Sequence, residues 1–450
     1  MNITRRRWIT GSAQLTMAAM MPWSLRADQP EVPAIHLQAR ESSANWLDAP
    51  TPIWDYSQST LRLQQGVTQR IRVTNHLTEP TTVHWHGLRV SNAMDGVSGL
   101  TQTPIEPGAT FDYDILSPDA GTFWFHSHHN TIEQLARGLY GALIVSGENE
   151  PVFEQDWTLL IDDWRLTQGG QIDPAFKNLH SQSHGGRMGN FLTINHQAGP
   201  WQEKAHAGDR VRLRLVNTAT NRILQLRASF PGAQLLAKDG QPLTRPEPVP
   251  DLLILGPGER MDLGWLARDS GQLLEVSGSN SLVVAQLAVE PKQGPRTPLY
   301  PNAMTLPLNP MPAVSTGSDR RVPLLLEGGA MGRLGTAQYQ GKALGFRELI
   351  AKGQAWALSG QAGMPEVPLF KARRGETIEL ALDNSTAFPH TLHWHGHHVW
   401  ADGRWQDSLT ITRGQKKTVQ LVAYNPGKWL IHCHMIDHQA TGMMTWFEVV

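Results

Sequence analysis

Three segments of the chain share one pattern: GVTQRIRVTN at residues 66–75, GDRVRLRLVN at residues 208–217 and GETIELALDN at residues 375–384. Each segment begins with glycine, ends with asparagine and alternates apolar with polar side chains in between. Alternation with a period of two is typical of a β-strand that buries one face. The segments are spaced by about the length of one domain, which indicates an internal repeat.

Two further elements recur in the same order after each of these strands. A glycine that precedes a short strand pattern occurs first at Gly108, Gly258 and Gly414, and again at Gly121, Gly271 and Gly427. Short strands separated by glycine and proline turns are typical of Greek-key β-sandwiches. The sequence therefore predicts an all-β chain of three tandem β-sandwiches. We expect the limits 31–148 for the first copy, 149–292 for the second, 293–317 for a linker and 318–450 for the third.

The composition and the first residues of the chain narrow the functional classes. The 39 basic and 40 acidic residues give a formal net charge of −1, which argues against a nucleic-acid binder. The run Arg5-Arg6-Arg7, followed by an uncharged stretch at residues 11–25, is typical of a twin-arginine export signal over residues 1–30. No other apolar run reaches the roughly 18 residues of a membrane span. We therefore expect a periplasmic protein that does not span the membrane.

Histidine pairs occur at matching places in the first and third copies. The pairs are His84 with His86, His126 with His128, His393 with His395, and His432 with His434. The second copy has Leu226-Arg227-Ala228 and Val276-Ser277-Gly278 at the two equivalent places. Residues i and i+2 of a strand share a face, so each pair places two imidazoles side by side. Eight imidazoles predict a cluster of several ions of Cu, Zn, Fe or Ni between the first and third copies.

The single cysteine of the chain, Cys433, lies between His432 and His434. Its side chain therefore points to the opposite face of the same strand, where a second metal site can form. The candidates that complete this site are His390, His438 and Met443. One thiolate, two imidazoles and a weak thioether are the ligands of a blue-copper electron-transfer centre.

Over essentially its whole mature length the chain resembles the multicopper oxidase family, which is built from three cupredoxin domains. Four motifs carry the resemblance in the family's order: HWHG at residues 84–87, HSH at 126–128, HTLHWHG at 390–396 and HCHMIDHQATGM at 432–443. The resemblance implies three tandem cupredoxin-like Greek-key β-sandwich domains, of which the second holds no copper ligand.

The same resemblance implies four coppers per chain. It assigns the type 1 copper to His390, Cys433, His438 and Met443. It assigns the type 2 copper to His84 and His393. It assigns one type 3 copper to His86, His126 and His434, and the other to His128, His395 and His432.

The activity implied by the resemblance couples four one-electron oxidations of a donor to the reduction of O₂ to two waters. Electrons enter at the type 1 copper and pass through Cys433 to the cluster. Asp95 matches the family's acidic residue that supplies protons, and a turn-forming aspartate before Gly96 is the alternative. Gln439 stands where some members have a carboxylate, so a second proton route is left open.

The identity of the electron donor leaves alternatives. The preferred interpretation is a laccase-like oxidase of phenols or aromatic amines, because the 14 methionines form no methionine-rich run. We expect this oxidase to be a monomer with a fairly open type 1 site. A metallo-oxidase that acts on Cu(I) is the alternative. A copper-free exported assembly factor is disfavoured, because every ligand position of the family is filled.

Overall fold

Strands dominate the computed structural model, which describes residues 32–291, 304–315, 317–332 and 334–450. The predicted export signal at residues 1–30 lies outside the described residues, as does the start of the predicted linker. Within the described part of the chain, no helix is long and apolar enough to cross a membrane.

The first third of the chain forms two four-stranded sheets, ordered β2-β1-β4-β6 and β3-β8-β7-β5. Its strands are β1 (Ile35–Ala44), β2 (Thr51–Tyr56), β3 (Thr60–Gln64), β4 (Thr68–Asn75), β5 (Val83–His86), β6 (Thr110–Leu116), β7 (Gly121–Ser127) and β8 (Tyr140–Ser146). A 3-10 turn at Asn92–Met94 and helix α1 (Thr131–Gln134) lie between strands.

The second third forms a seven-stranded sheet, β11-β10-β9-β13-β18-β15-β16, and a five-stranded sheet, β12-β20-β19-β14-β17. Its elements are β9 (Gln155–Trp164), α2 (Leu179–Gln182), β10 (Phe191–Ile194), β11 (Gln197–Ala198), β12 (Trp201–His206), β13 (Arg210–Asn217), β14 (Leu224–Ala228), β15 (Gln234–Lys238), β16 (Gln241–Pro248), β17 (Leu253–Leu255), β18 (Arg260–Leu266), β19 (Gly271–Ser277) and β20 (Asn280–Glu290).

The last third forms a six-stranded sheet, β24-β21-β26-β31-β28-β29, a five-stranded sheet, β25-β33-β32-β27-β30, and a separate hairpin, β22-β23. Its elements are β21 (Arg320–Gly328), β22 (Thr336–Tyr339), β23 (Lys342–Gly345), α3 (Phe346–Ala351), β24 (Trp356–Leu358), β25 (Lys371–Ala372), β26 (Thr377–Asn384), β27 (His390–Trp394), β28 (Val399–Ala401), β29 (Arg404–Gln406), β30 (Ser408–Ile411), β31 (Lys416–Val422), β32 (Gly427–Cys433), α4 (Ile436–Ala440) and β33 (Met444–Val449).

The repeated strands occupy equivalent places in the three thirds. β4, β13 and β26 each pair in parallel with one neighbour and antiparallel with the other. Each third also has its own buried apolar core. The predicted all-β fold of three tandem sandwiches is confirmed, while the residue limits of the copies stay predictions.

The asparagine that ends each repeated strand is buried and organises the turn that follows. The side-chain amides of Asn75, Asn217 and Asn384 each donate to backbone carbonyls on two different segments. Each side-chain oxygen also accepts a backbone N–H two residues later. In the first and third copies, this turn leads into the strand that carries the first histidine pair, so the asparagine fixes where that strand begins.

The copies pack against one another as well as within themselves. One apolar cluster includes Trp124 of the first third, Val216 of the second and Ile436 of the third. The end of the predicted linker is also held in place, because Asn309 donates to the carbonyl of Ala120 and to the side chain of Gln241. These contacts fix the orientation of the first and third copies, between which the histidines meet.

We predict that Asn217→Ala destabilises the protein by about 2–4 kcal/mol, because it leaves two buried carbonyls and one buried N–H without partners. Asn280→Ala, at an exposed hairpin position, serves as the control and should change stability by less than about 0.5 kcal/mol. Urea unfolding followed by tryptophan fluorescence measures both. Equal losses for the two variants would contradict the role assigned to the repeated asparagine.

Candidate copper centre

Two antiparallel strand pairs bring the predicted histidines together. In the first copy β5 pairs with β7, so that His84 lies opposite His126. In the third copy β27 pairs with β32, so that His393 lies opposite His432. The second histidine of each pair follows two residues later on the same side, as strand geometry requires.

All eight imidazoles lie in one buried cluster formed by the first and third copies. Three pairs of Nε2 atoms are close: 3.1 Å for His395 and His432, 3.4 Å for His84 and His393, and 3.5 Å for His126 and His434. The donor atoms of His128, His395 and His432 all lie within 4.8 Å of one another, as do those of His84, His86 and His126. The structure therefore brings together every histidine predicted for the cluster.

Asp95 orients two of these rings. Its backbone carbonyl lies 2.9 Å from His84 Nδ1, and its Oδ2 lies 3.0 Å from His395 Nδ1. Because these oxygens accept hydrogen bonds, both Nδ1 atoms carry protons and both Nε2 atoms face the cluster without one. The other oxygen, Oδ1, is buried and lies 3.3 Å from His84 Nδ1.

Asp407, which was not predicted from the sequence, orients the rings of His393 and His86. Its backbone carbonyl lies 2.9 Å from His393 Nδ1, and its Oδ1 lies 3.2 Å from His86 Nε2. Asp407 and Asp95 therefore each hold one histidine of their own copy by the carbonyl and one of the other copy by the carboxylate. Its position in the sequence could have indicated this role, because Asp407 follows the pair of His393 and His395 at a distance similar to that of Asp95 after the pair of His84 and His86.

The ionisation of Asp407 is set by its surroundings. Burial alone would raise the pKa of its carboxyl group, but the guanidinium of Arg260 and the hydrogen bonds to His393 and His86 bring the pKa well below its ordinary value. Asp407 is therefore a carboxylate, able to accept from both rings.

The ring nitrogens of the eight-histidine cluster are arranged as the ligands of a bound metal would be. Since the Nδ1 atoms of His84 and His393 donate to carbonyl oxygens, their facing Nε2 atoms both present lone pairs at 3.4 Å. Two lone pairs at this distance repel each other unless a cation lies near them. Buried ring nitrogens of His86, His128 and His434 also have no hydrogen-bond partner among the described residues.

Burial favours the neutral form of most of these rings, which is the form that binds metal. It lowers the pKa to about 3 in His128 and about 4 in His438. It lowers the pKa well below the ordinary value in His86, His126, His390, His395, His432 and His434.

The second predicted site lies on the other face of β32. The Nδ1 atoms of His390 and His438 are 2.9 Å apart, and Cys433 Sγ lies 3.6 Å from the first and 3.7 Å from the second. Met443 is fully buried, and its carbonyl accepts from the backbone N–H of Cys433 at 3.0 Å. The structure thus places the donor atoms of His390, Cys433 and His438 around one point of the third copy, with Met443 hydrogen-bonded to Cys433 through the backbone.

The chemistry of Cys433 calls for a cation. Burial raises the pKa of its thiol to about 12, so the thiol stays protonated at neutral pH when nothing else is present. A bound metal ion stabilises the thiolate and is the usual reason for such a cysteine to lie between two imidazoles. The donor set of one sulfur and two Nδ1 atoms fits copper.

The expectation of a fairly open type 1 site is wrong for the ring of His438. This side chain is fully buried, and its Nε2 lies 2.7 Å from the backbone carbonyl of His184 in the second copy. Trp356, whose ring is 4.3 Å from that of His438, donates to the carbonyl of Gln182 on the same segment. Residues 179–188, which we call the covering segment, therefore lie between His438 and solvent.

Asp437 fastens the covering segment to α4. Its Oδ2 accepts from the backbone N–H of Arg187 at 2.9 Å and from the side chain of Asn221 at 2.6 Å. Gly186 has no room for a side chain, because an added Cβ would lie 2.3 Å from Asn221 Oδ1. Asp437 therefore docks the second copy onto the third.

Comparisons with known proteins agree with this geometry. Multicopper oxidase family models match residues 54–150 and 342–450. The crystal structure of Lac15 from a marine microbial metagenome is 33% identical with a TM-score of 0.74, over 93% of this chain and 100% of that one. Multicopper oxidase MmcO of Mycobacterium tuberculosis is 28% identical over 84% of this chain and 79% of its own length. Laccase-1 of Botryotinia fuckeliana is 26% identical over 84% of this chain and 73% of its own length.

The family models cover the two copies that carry the histidine pairs, and the structural likeness extends over all three sandwiches. The copper of the family, its use of O₂ and an external electron donor, and its oxidoreductase activity therefore apply to this protein. The chain belongs to the multicopper oxidase family.

Proposed function

We propose that the chain binds four copper ions and couples four one-electron oxidations of a donor to the reduction of O₂ to two waters. The observation that carries this proposal is the arrangement on β32, where Cys433 faces one site while His432 and His434 face the other. One short stretch of backbone joins the two sites, which suits electron transfer between them.

We assign the ligands as the family resemblance implies. The type 1 copper is held by His390, Cys433, His438 and Met443. The type 2 copper is held by His84 and His393, one type 3 copper by His86, His126 and His434, and the other by His128, His395 and His432. Copper at these places supplies one-electron redox chemistry at the first site and O₂ binding at the cluster.

The chain's own groups supply the rest of the reaction. Asp95 holds His395 through Oδ2 and lies 3.3 Å from His84 Nδ1 through Oδ1, and we assign to it the supply of protons to the cluster. A cleft of about 580 Å³ reaches His128, and its lining is mainly apolar, with Val97, Ile132 and Leu430, but also includes Lys177 and Gln439. We assign O₂ entry to this cleft, because apolar walls admit a small apolar molecule.

Export to the periplasm is part of the proposal. It rests on the arginine run at residues 5–7 and on the uncharged stretch that follows it, which together are typical of a twin-arginine export signal. We also propose that the protein acts as a monomer, because the residues that we assign to both sites come from one chain.

For the donor, we propose phenols or aromatic amines, as in laccases. Similarity to a fungal laccase and the lack of a methionine-rich run in the sequence support this assignment. The buried ring of His438 means that the donor does not touch it directly. The electron instead enters across the covering segment, whose His184 carbonyl contacts His438 Nε2.

Cu(I) is the second candidate donor, and one group of side chains favours it. His180 is exposed and its ring lies 4.3 Å from that of His184. The same segment carries the exposed Met188. The backbone N–H of Ala330 donates to the carbonyl of Ser183, and the next residue, Met331, is also exposed. Imidazole and thioether groups are ligands that suit Cu(I).

Substitution of Cys433 tests the proposed function. We predict that Cys433→Ser loses the blue charge-transfer band and all turnover with O₂, and that the copper content falls from about four to about three per chain, because only the type 1 site is lost. Metal analysis and visible absorption measure the two effects. Ser277→Ala, at the equivalent position of the second copy, should retain four coppers and the band. A wild-type content near one or zero would contradict the proposal.

A comparison of donors tests the preferred substrate class. Initial rates are measured with a dimethoxyphenol, with and without added Cu(II), and with Cu(I) as the sole donor. We predict phenol oxidation that does not depend on added Cu(II), and a change of less than about twofold in phenol kcat/KM for His180→Gln. His206→Gln, exposed at the end of β12, is the control. Strong dependence of phenol oxidation on added Cu(II), together with loss of Cu(I) oxidation in His180→Gln only, would identify Cu(I) as the donor.

A further inference from the structure

The second copy, which carries no predicted copper ligand, reaches the histidine cluster through the turn between β17 and β18. Gly258 on this turn is so close that an added Cβ would lie 2.9 Å from His86 Cε1 and 3.1 Å from His434 Cδ2. Arg260 begins β18 directly after this turn and is fully buried. The turn therefore forms a wall of the cluster, and Arg260 is the cation behind that wall.

Arg260 joins all three copies. Its Nη1 and Nη2 atoms donate to the two carboxylate oxygens of Asp407 in the third copy, at 2.7 and 2.6 Å. Its Nε donates to the carbonyl of Thr122 in the first copy at 3.3 Å, and Nη1 donates to the carbonyl of Gly258 at 3.1 Å. The planar guanidinium thus holds the Asp407 carboxylate in one plane and one place.

The first copy leaves space for this ion pair. Gly87, which follows the first histidine pair, has a φ of 85°. A Cβ at Gly87 would lie 2.2 Å from Arg260 Nη2 and 2.6 Å from Asp407 Oδ2. The glycine of the HWHG motif is therefore required at this position by the backbone angle and by the ion pair.

The position of Asp407 matters because two rings depend on it. His86 Nε2 lies 3.2 Å from Asp407 Oδ1, which leaves His86 Nδ1 free, and His393 Nδ1 lies 2.9 Å from the Asp407 carbonyl, which leaves His393 Nε2 free. A buried carboxylate that loses its cation is left uncompensated at a cost of several kcal/mol, so it moves or changes its partners. Either change removes one of the two groups that hold His86 Nε2, the other being Ser408 Oγ at 3.2 Å.

We propose that Arg260 is a positioning residue of the copper cluster, supplied by the copy that holds no copper. It acts through Asp407 to fix the rings of His86 and His393, while the type 1 site on the opposite face of β32 does not depend on it. This inference rests on the proposed ligand roles of His86 and His393. It assigns to the second copy a part in metal binding beyond that of a spacer.

Arg260→Lys tests the proposal, because lysine keeps the charge but cannot form the two-pronged contact. We expect copper affinity at the type 2 and adjoining type 3 positions to fall by about 10- to 100-fold, the usual cost of losing a group that orients a ligand. The readouts are copper per chain after dialysis, the type 2 signal in electron paramagnetic resonance, and the blue band. The expected result is loss of the type 2 signal with the blue band retained. Gly87→Ala should reproduce this pattern, since its Cβ displaces the same ion pair.

Arg212→Lys is the matched control, because Arg212 is as buried as Arg260 and pairs with Asp262 and Glu150, with no hydrogen bond or ion pair to Asp407 or to a histidine among the described residues. Arg212→Lys should retain four coppers and the type 2 signal. This result is expected even if thermal unfolding of the metal-free protein shows that both lysine variants lose the same stability. Full copper content and an unchanged type 2 signal in Arg260→Lys would overturn the proposal. Parallel loss of the blue band and the type 2 signal would also overturn it. A wild-type chain that lacks the type 2 signal would instead reject the proposed function.

Discussion

The alternation of side chains along β32 is the constraint on which the rest of the molecule depends. Because successive residues of a strand point to opposite faces, His432 and His434 join the cluster while Cys433 faces His390 and His438. The pairing of β32 with β27 then sets His393 opposite His432 and Leu392 opposite Cys433. A shift of this register by one residue would exchange the two faces and destroy both sites.

The two buried carboxylates have related but different surroundings. Asp95 and Asp407 each hold one ring by a backbone carbonyl and another by the carboxylate. Asp407 is held by the guanidinium of Arg260, whereas the carboxylate of Asp95 contacts only the rings of His84 and His395 among the described residues. The pairing with Arg260 suits Asp407 to a structural role, whereas Asp95 has no arginine or lysine partner among the described residues.

Much of the fold and the grouping of the histidines with Cys433 could be predicted from the sequence, because the information is local. The repeated strands, the asparagines that end them and the His-x-His pairs all follow from spacing within a few residues. Cys433 could be placed on the opposite face from His432 and His434 by the same rule. The structure brings each of these residues to the place that the pattern predicts.

The features that the sequence did not predict are contacts between copies. Arg260 is far in sequence from Asp407, and His184 is far from His438, so no local pattern links them. The expectation of an open type 1 site failed for this reason: the covering segment belongs to the second copy, which carries no predicted copper ligand. Such contacts depend on how three sandwiches pack, which strand periodicity does not determine.

Anomalous X-ray scattering from crystals of the copper-loaded protein, recorded on both sides of the copper absorption edge, tests the central claim directly. The account predicts one copper peak beside Cys433 Sγ, between His390 and His438, and three peaks within the cluster of eight histidines. A peak at Cys433 with none in the cluster, or a single peak in the cluster, would contradict it.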